Sequence, residues 1–295
     1  MADVVLPPPA PAPVDRLAAV FARVQVTAHV FKAGLLCGVN TVAPGGGGHL
    51  HLLRRGIMAV EGPDGQRAEV VAPAAVLLVR PAEHRLLSDP EIGVDIVCAE
   101  IDFGGSGNPL RQGLPALLVL PLVEDASLGG ILALLFQEAD GAGCGRQAAL
   151  DRLAEVALIY LLRRAMGRSD QGPGLLAGLV HPALARVLTR LHEAPGSNWT
   201  LETMAEVAGM SRSAFAETFR RVVGVPPGDY LQGWRLQLAR AGIEAGRPLK
   251  QVAREVGYAS HAALSRALSQ RLGGSARSLL RRRRDLAGPA PEARD

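Results

Sequence analysis

A chain of 295 residues is about twice the ~150 that one domain usually takes, and its 48% hydrophobic and 20% charged residues supply two cores and exclude a mainly disordered or fibrous protein. The formal charge of +4 is segregated: residues 1–174 carry 14 Lys and Arg against 18 Asp and Glu, whereas residues 175–295 carry 18 against 10. A mildly acidic half joined to a basic one suggests that the C-terminal half meets a polyanion.

The leader MADVVLPPPAPAPVDR has neither the basic nor the apolar region of a signal peptide. The uncharged stretch 33–53 is broken by Pro44 and four glycines, so it is not a spanning helix. Cys37, Cys98 and Cys144, with no CxxC spacing, offer no disulfide framework and fit a reducing cytosol. These features predict a cytoplasmic protein with a Pro-rich disordered leader at 1–15.

From about residue 16 to 122 the chain reads as short β-runs between turn residues. The clearest are Val24–Phe31, Leu50–Leu53, Ile57–Val60, Val76–Val79 and Val94–Phe103, a spacing that suggests a sandwich or small barrel. His49 and His51 have strand period and leave one face, and Cys98 shares the inward face of Val94 and Ile96. Over 123–170 the period becomes helical, at 127–137 and 147–165. The stripe Leu150, Leu153, Ala157 and Leu161 would pair two subunits or pack on the β domain. The segment GRSDQGPG at 167–174 is the expected linker.

The region 175–284 reads as helix and contains an internal repeat. Leu201, Ala205 and Gly209 recur 48 residues later as Leu249, Ala253 and Gly257; Ser211, Phe215, Phe219 and Gly224 recur at a spacing of 49 as Ser260, Leu264, Leu268 and Gly273. Each unit has the logic of a helix-turn-helix: a small Ala for close approach, a Gly for the turn, a Ser to cap the second helix, and a buried i, i+4 pair. Between them, Tyr230–Ala245 forms a helix with Leu231, Trp234, Leu238 and Ala241 on one stripe. The final stretch, 285–295, reads as a disordered tail.

Over roughly 181–281 these residues resemble the AraC family of transcription regulators. WTLETMAEVAGMSRSAFAETFRRVVGVPPGDYLQGWRLQLA follows the first unit and linker helix, including Phe219, Gly224, Pro227, Arg235 and Ala239, and PLKQVAREVGYASHAALSRALSQRLGGSARSLLR follows the second. The second departs in Leu264 and Leu268, where aromatics are usual, and in Ala276, where Pro is usual. The resemblance implies a double-stranded DNA operator and RNA polymerase as partners. It implies that Arg212, Ser213, Ala216 and Glu217 of the first recognition helix, and His261, Ala262, Ser265 and Arg266 of the second, face bases, with Arg220 and Arg221 on phosphates. The run Arg281–Arg284 adds nonspecific phosphate attraction.

The segment 15–120 resembles the cupin-like sensory domain of an AraC subgroup that includes a regulator responding to reactive chlorine. LLCG at 35–38, HLHLLRRG at 49–56, AVLLVRPAEHRL at 75–86 and VDIVCAEIDF at 94–103 carry the likeness. It implies an α+β protein: a cupin-like barrel with following helices, then an all-α domain of two helix-turn-helix units. It also implies a small-molecule effector or an oxidant, with Cys37 and Cys98 as redox candidates, and a homodimer. His84 falls where a second cupin motif places its histidine, so His49, His51 and His84 are candidate ligands for a divalent metal. The usual carboxylate is replaced by Arg55-Gly56, and Arg80-Pro81 stands for Pro-x-Gly. No cofactor is required by this reading. The rival classes are a metal-dependent cupin oxygenase or isomerase with a helical domain that does not bind DNA, and a protein-interaction adaptor whose binding barely responds to salt. Metal analysis and salt dependence separate them.

Overall fold

The computed structural model describes residues 15–62, 65–104, 108–122, 126–168 and 172–272. The leader other than Asp15, the tail 285–295, Gly273, Ala276 and Arg281–Arg284 lie outside the described residues.

Among the described residues a short helix, α1 (Ala18–Phe21), is followed by nine strands: β1 (Thr27–Leu36), β2 (Val39–Val42), β3 (Gly48–Arg55), β4 (Ile57–Glu61), β5 (Arg67–Val71), β6 (Ala74–Leu78), β7 (His84–Ser88), β8 (Val94–Asp102) and, beyond the turn helix α2 (Pro109–Gly113), β9 (Leu117–Pro121). They form two antiparallel sheets, ordered β1-β8-β3-β6-β9 and β2-β7-β4-β5. Leu53, Met58, Val60, Val70, Val76, Leu86 and Ile96 fill the space between them.

The other face of the five-stranded sheet is covered by α3 (Ala126–Asp140) and α4 (Arg146–Met166). Strand β3 is therefore buried on both faces, which is why GHLHLLRR shows an apolar run with little alternation. Helix α4 is locked onto edge strand β1 by side chains. The Val30 amide donates to Asp151 Oδ1 at 2.8 Å, the Ala28 amide to Glu155 Oε1 at 3.3 Å, and Gln147 Nε2 donates to the Val30 carbonyl at 2.8 Å. These bonds occupy backbone groups that an edge strand would otherwise present for pairing. Of the two roles open to the α4 stripe, packing on the β domain is the one observed: Leu150, Ala157 and Leu161 are buried and Leu153 is partly buried against the same core. That stripe is spent within the chain.

Among the described residues seven helices follow: α5 (Leu175–Val180), α6 (Pro182–Glu193), α7 (Leu201–Ala208), α8 (Arg212–Val223), α9 (Pro227–Glu244), α10 (Leu249–Glu255) and α11 (His261–Leu272). The punctuation is that of the repeat. Gly209 and Gly257 take φ of +70° and +80° in the two turns, a left-handed backbone that favours glycine. Ser211 Oγ accepts from the Ala214 amide at 3.3 Å and Ser260 Oγ from the Ala263 amide at 3.1 Å, capping α8 and α11. Helix α9 starts three residues before the expected position because Pro227 supplies a preset first-turn φ. Its buried stripe runs through Tyr230, Leu231, Trp234, Leu238, Gly242 and Ile243, and Ala241 is exposed beside it.

The halves share one continuous core, with α1 against α6 and α2 and α4 against α5. Arg16 Nη1 donates to the Leu179 carbonyl at 2.8 Å, Arg23 Nη2 to the Glu193 carbonyl at 2.7 Å, and Gln237 Nε2 to the Gly104 carbonyl just beyond β8. Among the described residues no helix is long and apolar enough to cross a membrane.

Candidate nucleic-acid interface and sensory barrel

Helix α8 buries Phe215, Phe219 and Val223 and leaves Arg212, Ser213, Glu217, Arg220 and Arg221 exposed, with Ala216 half-buried. Among the described residues, Arg212, Glu217, Arg220 and Arg221 make no side-chain hydrogen bond or ion pair, so their charges are available to a partner. Helix α11 repeats the arrangement: Leu264, Ala267 and Leu268 are buried, His261, Ala262 and Arg266 exposed, and Ser265 half-buried. The leucines that replace the usual aromatics are fully enclosed. Two positions escaped the sequence reading. Lys250 and Arg254 of α10 line a concavity of about 550 Å³ with Tyr258 and His261 beside the start of α11. A second cationic run on the first helix of the repeat unit is the signal that would have found them.

The two units are braced as one body by α9. Arg235 Nε donates to the Pro195 carbonyl and Nη2 to the Ser197 carbonyl, both at 2.8 Å, which ties α9 to the loop before α7. The same guanidinium lies against the turn of the second unit, where a Cβ on Gly257 would sit 2.9 Å from Nη2. Asp229 at the start of α9 pairs with Arg271 of α11 at 2.7 Å. The core beneath is aromatic: Phe219 lies 5.6 Å from Tyr230 edge to face, and Tyr230 Oη is 2.7 Å from His192 Nε2. Burial holds His192 down at about 3 and pushes the Tyr230 phenol up.

In the barrel, the strand period brings His49 and His51 inward from β3, and His84 at the start of β7 completes the convergence. Ring centroids of His84 lie 5.0 Å from each of the other two. His51 Nε2 and His84 Nε2 are hydrogen-bonded at 2.8 Å, His84 Nδ1 bonds the Ala82 carbonyl at 3.1 Å, and Phe31 stands edge-on to His49. Burial, first, and then His84 and His49 hold His51 well below the usual imidazole range; burial also lowers His49 and His84, against a pull from Glu100 on His49 and from the Ala82 carbonyl on His84. The trio is neutral near pH 7, with His51 and His84 bonded to each other. The Nδ1 atoms of His49 and His51 are buried without partners. Yet among the described residues no group of three or more His, Cys, Asp or Glu is disposed to hold a metal ion. The Nε2 atoms of His51 and His84 are spent on each other and His84 Nδ1 on the Ala82 carbonyl, so the trio as arranged does not fit a divalent metal.

Because the folded trio binds protons more weakly than free imidazole, at 6.5, the unfolded chain takes up more protons below that pH. Stability held above pH 6.5 is therefore lost as the pH falls. The thermal midpoint is expected to drop between pH 7 and pH 5, and His51→Gln to flatten that drop; equal slopes in both chains would remove the trio as the cause.

Cys98 faces His51 across the β3–β8 ladder and is 2% exposed. Burial pushes its thiol up to about 12, with Lys32 acting weakly in the other direction. Cys37 and Cys144 are exposed, and all three are free thiols.

Known proteins bear on this arrangement. Residues 15–167 match the family described as Cupin, and residues 204–284 match one described as Helix-turn-helix domain. A putative AraC-like transcription regulator of Streptomyces antibioticus is 43% identical over 125 residues, 42% of this chain and 41% of that one, so the match spans less than half of that relative. The RCS-specific HTH-type transcriptional activator RclR of Escherichia coli (strain K12) is 30% identical over 254 residues, 83% of this chain and 89% of that one. A putative AraC-like transcription regulator of Streptomyces lividans is 31% identical over 251 residues, 75% and 82% of the two chains. These relatives are named as transcription regulators, and the cupin match extends through α4. The chain belongs to the AraC family of DNA-binding transcription regulators, with a cupin domain ahead of its two helix-turn-helix units.

Proposed function

We propose that this regulator acts in the cytoplasm by reading double-stranded DNA with the exposed starts of α8 and α11, under control of its barrel. The organisation is a sensory barrel at 16–122, a helical layer at 123–170 and a reading domain at 175–284. The observation that carries it is the pair of capped helices, each with a buried i, i+4 pair and an uncommitted polar face, braced by one helix. Arg212 and Arg266 suit guanine edges, Glu217 a cytosine amine, Ala216 and Ala262 thymine methyls, Ser213, His261 and Ser265 adaptable base-edge bonds, and Arg220, Arg221, Lys250 and Arg254 phosphates. A small effector or an oxidant acting on the barrel, with Cys37 and Cys98 the thiols concerned in the second case, would alter how β8 meets α9 through Gly104 and Gln237. RNA polymerase is the expected downstream partner.

A footprint on the chain's own upstream region supplies the site for the test. Arg212→Ala is expected to weaken that site by about 1–3 kcal/mol, roughly 5- to 150-fold, with random DNA unaffected. Equal losses on both DNAs would make Arg212 a phosphate contact. Gln237→Leu removes the amide donor to Gly104; it is expected to raise operator affinity of the full chain roughly 2- to 10-fold, the range of one hydrogen bond, with little change in melting. Unchanged affinity would mean that the barrel does not restrain α9 at this point.

A further inference from the structure

The internal repeat reaches one helix further back than the reading units themselves. Arg186 of α6 and Arg235 of α9 stand 49 residues apart, the spacing that relates Ser211 to Ser260, and each lies against the turn glycine of the unit that follows it. Arg186 spends Nη2 on its own unit, donating to the Ala208 carbonyl beside Gly209 at 3.2 Å. Arg235 reaches across instead. Its Nε and Nη2 donate to the Pro195 and Ser197 carbonyls, which straddle Gly196 in the loop before the first unit. That loop meets the turn of the second unit backbone to backbone. A Cβ on Gly196 would sit 2.5 Å from the Glu255 carbonyl oxygen, and one on Gly257 would sit 2.9 Å from the Gly196 carbonyl oxygen.

We propose that Arg235 is a positioning residue: it closes this joint, fixes the separation and phase of the two reading helices, and so sets the operator spacing that the chain accepts. This role presupposes that α8 and α11 read DNA. A guanidinium presents several N–H donors in one plane and holds two carbonyls at once, whereas the compact ammonium of lysine has no such fork. The pair Asp229–Arg271, which ties α9 to α11, is solvent-exposed and adds little. One base pair inserted between two major grooves moves the second by about 3.4 Å and turns it by about 35°. A joint in which backbones already touch has no slack to follow that change.

Duplexes carrying the footprinted site, intact or with one base pair inserted between its two protected grooves, test this role with the full chain. The unaltered chain is expected to bind the inserted site roughly tenfold or more less tightly, because the second helix loses its base contacts. In Arg235→Lys, and in Gly196→Ala, which wedges the joint open by another route, that ratio should fall to about threefold or less through weaker binding at the native spacing, with native circular dichroism. Arg186→Lys, the same exchange at the repeat-related position, should weaken both duplexes alike and keep the ratio. A general loss of stability would also leave the ratio unmoved, so the ratio separates positioning from support. An unchanged ratio in Arg235→Lys and Gly196→Ala overturns the proposal, as does an unaltered chain indifferent to the insertion. Absence of any specific footprint would instead remove the reading of DNA itself, and the proposal with it.

Discussion

Phe219→Ala is expected to cost about 3–5 kcal/mol, the range for removing a buried aromatic ring. Phe219 is fully buried, and it is where α8 meets the brace: its ring lies 5.6 Å from both Phe215 and Tyr230, and Tyr230 passes the contact to His192, which stands 4.9 Å from Trp234. The void would sit among rings already held by a hydrogen bond, so neighbours have little freedom to refill it. Melting should fall by roughly 10 °C or more, and specific DNA binding should be lost with it because the first reading helix loses its anchor. Phe219→Leu, which keeps most of the volume, should retain most of both. A loss below about 1 kcal/mol for the alanine variant would show that the site collapses and that the anchor lies elsewhere.

The second large effect concerns Cys98. A thiol pushed from its ordinary 9.0 up to about 12 has its reactive anion reduced about 1000-fold at neutral pH, before any barrier to access is counted. In the native chain at pH 7.5, iodoacetamide is expected to label Cys37 and Cys144 while Cys98 remains unmodified at least 1000-fold longer, as read by mass spectrometry of the digested chain. In denaturant all three should react at similar rates. Native labelling of Cys98 within tenfold of Cys37 would mean that the barrel opens readily. With the protection intact, the exposed Cys37 is the thiol of the pair that an oxidant meets first, and any chemistry at Cys98 requires prior opening of the strands around it.

The helical half was readable because its signals are local. Gly209, Gly257, Ser211 and Ser260 mark turns and caps by their own backbone chemistry, and Phe215, Phe219, Leu264 and Leu268 have a period that only a half-buried helix uses. Apolar runs mark β3, β4, β6 and β8, whereas β5, reading RAEVV, and β7, reading HRLLS, were missed. Their strand character comes from pairing with β4 on either side, a nonlocal cause. The histidine convergence was legible from the strand period for His49 and His51 and from the family resemblance for His84. That His51 and His84 bring their Nε2 atoms within hydrogen-bond distance of each other depends on ring placement, which no spacing encodes. Gln237 was invisible for a similar reason: a glutamine on a helix declares a partner only when Gly104, 133 residues away, is brought to it.

One core runs from the barrel helices through α5 into the aromatic brace, and this constrains how the molecule can come apart. Leu175, Leu176 and Leu179 of α5 are sealed between the two halves, so excising either would leave a greasy stump facing water. Heating should therefore melt sensor and reader in a single step. In evolutionary terms, exchanging barrels between such regulators would demand that the short α5 plug travel with its matching socket.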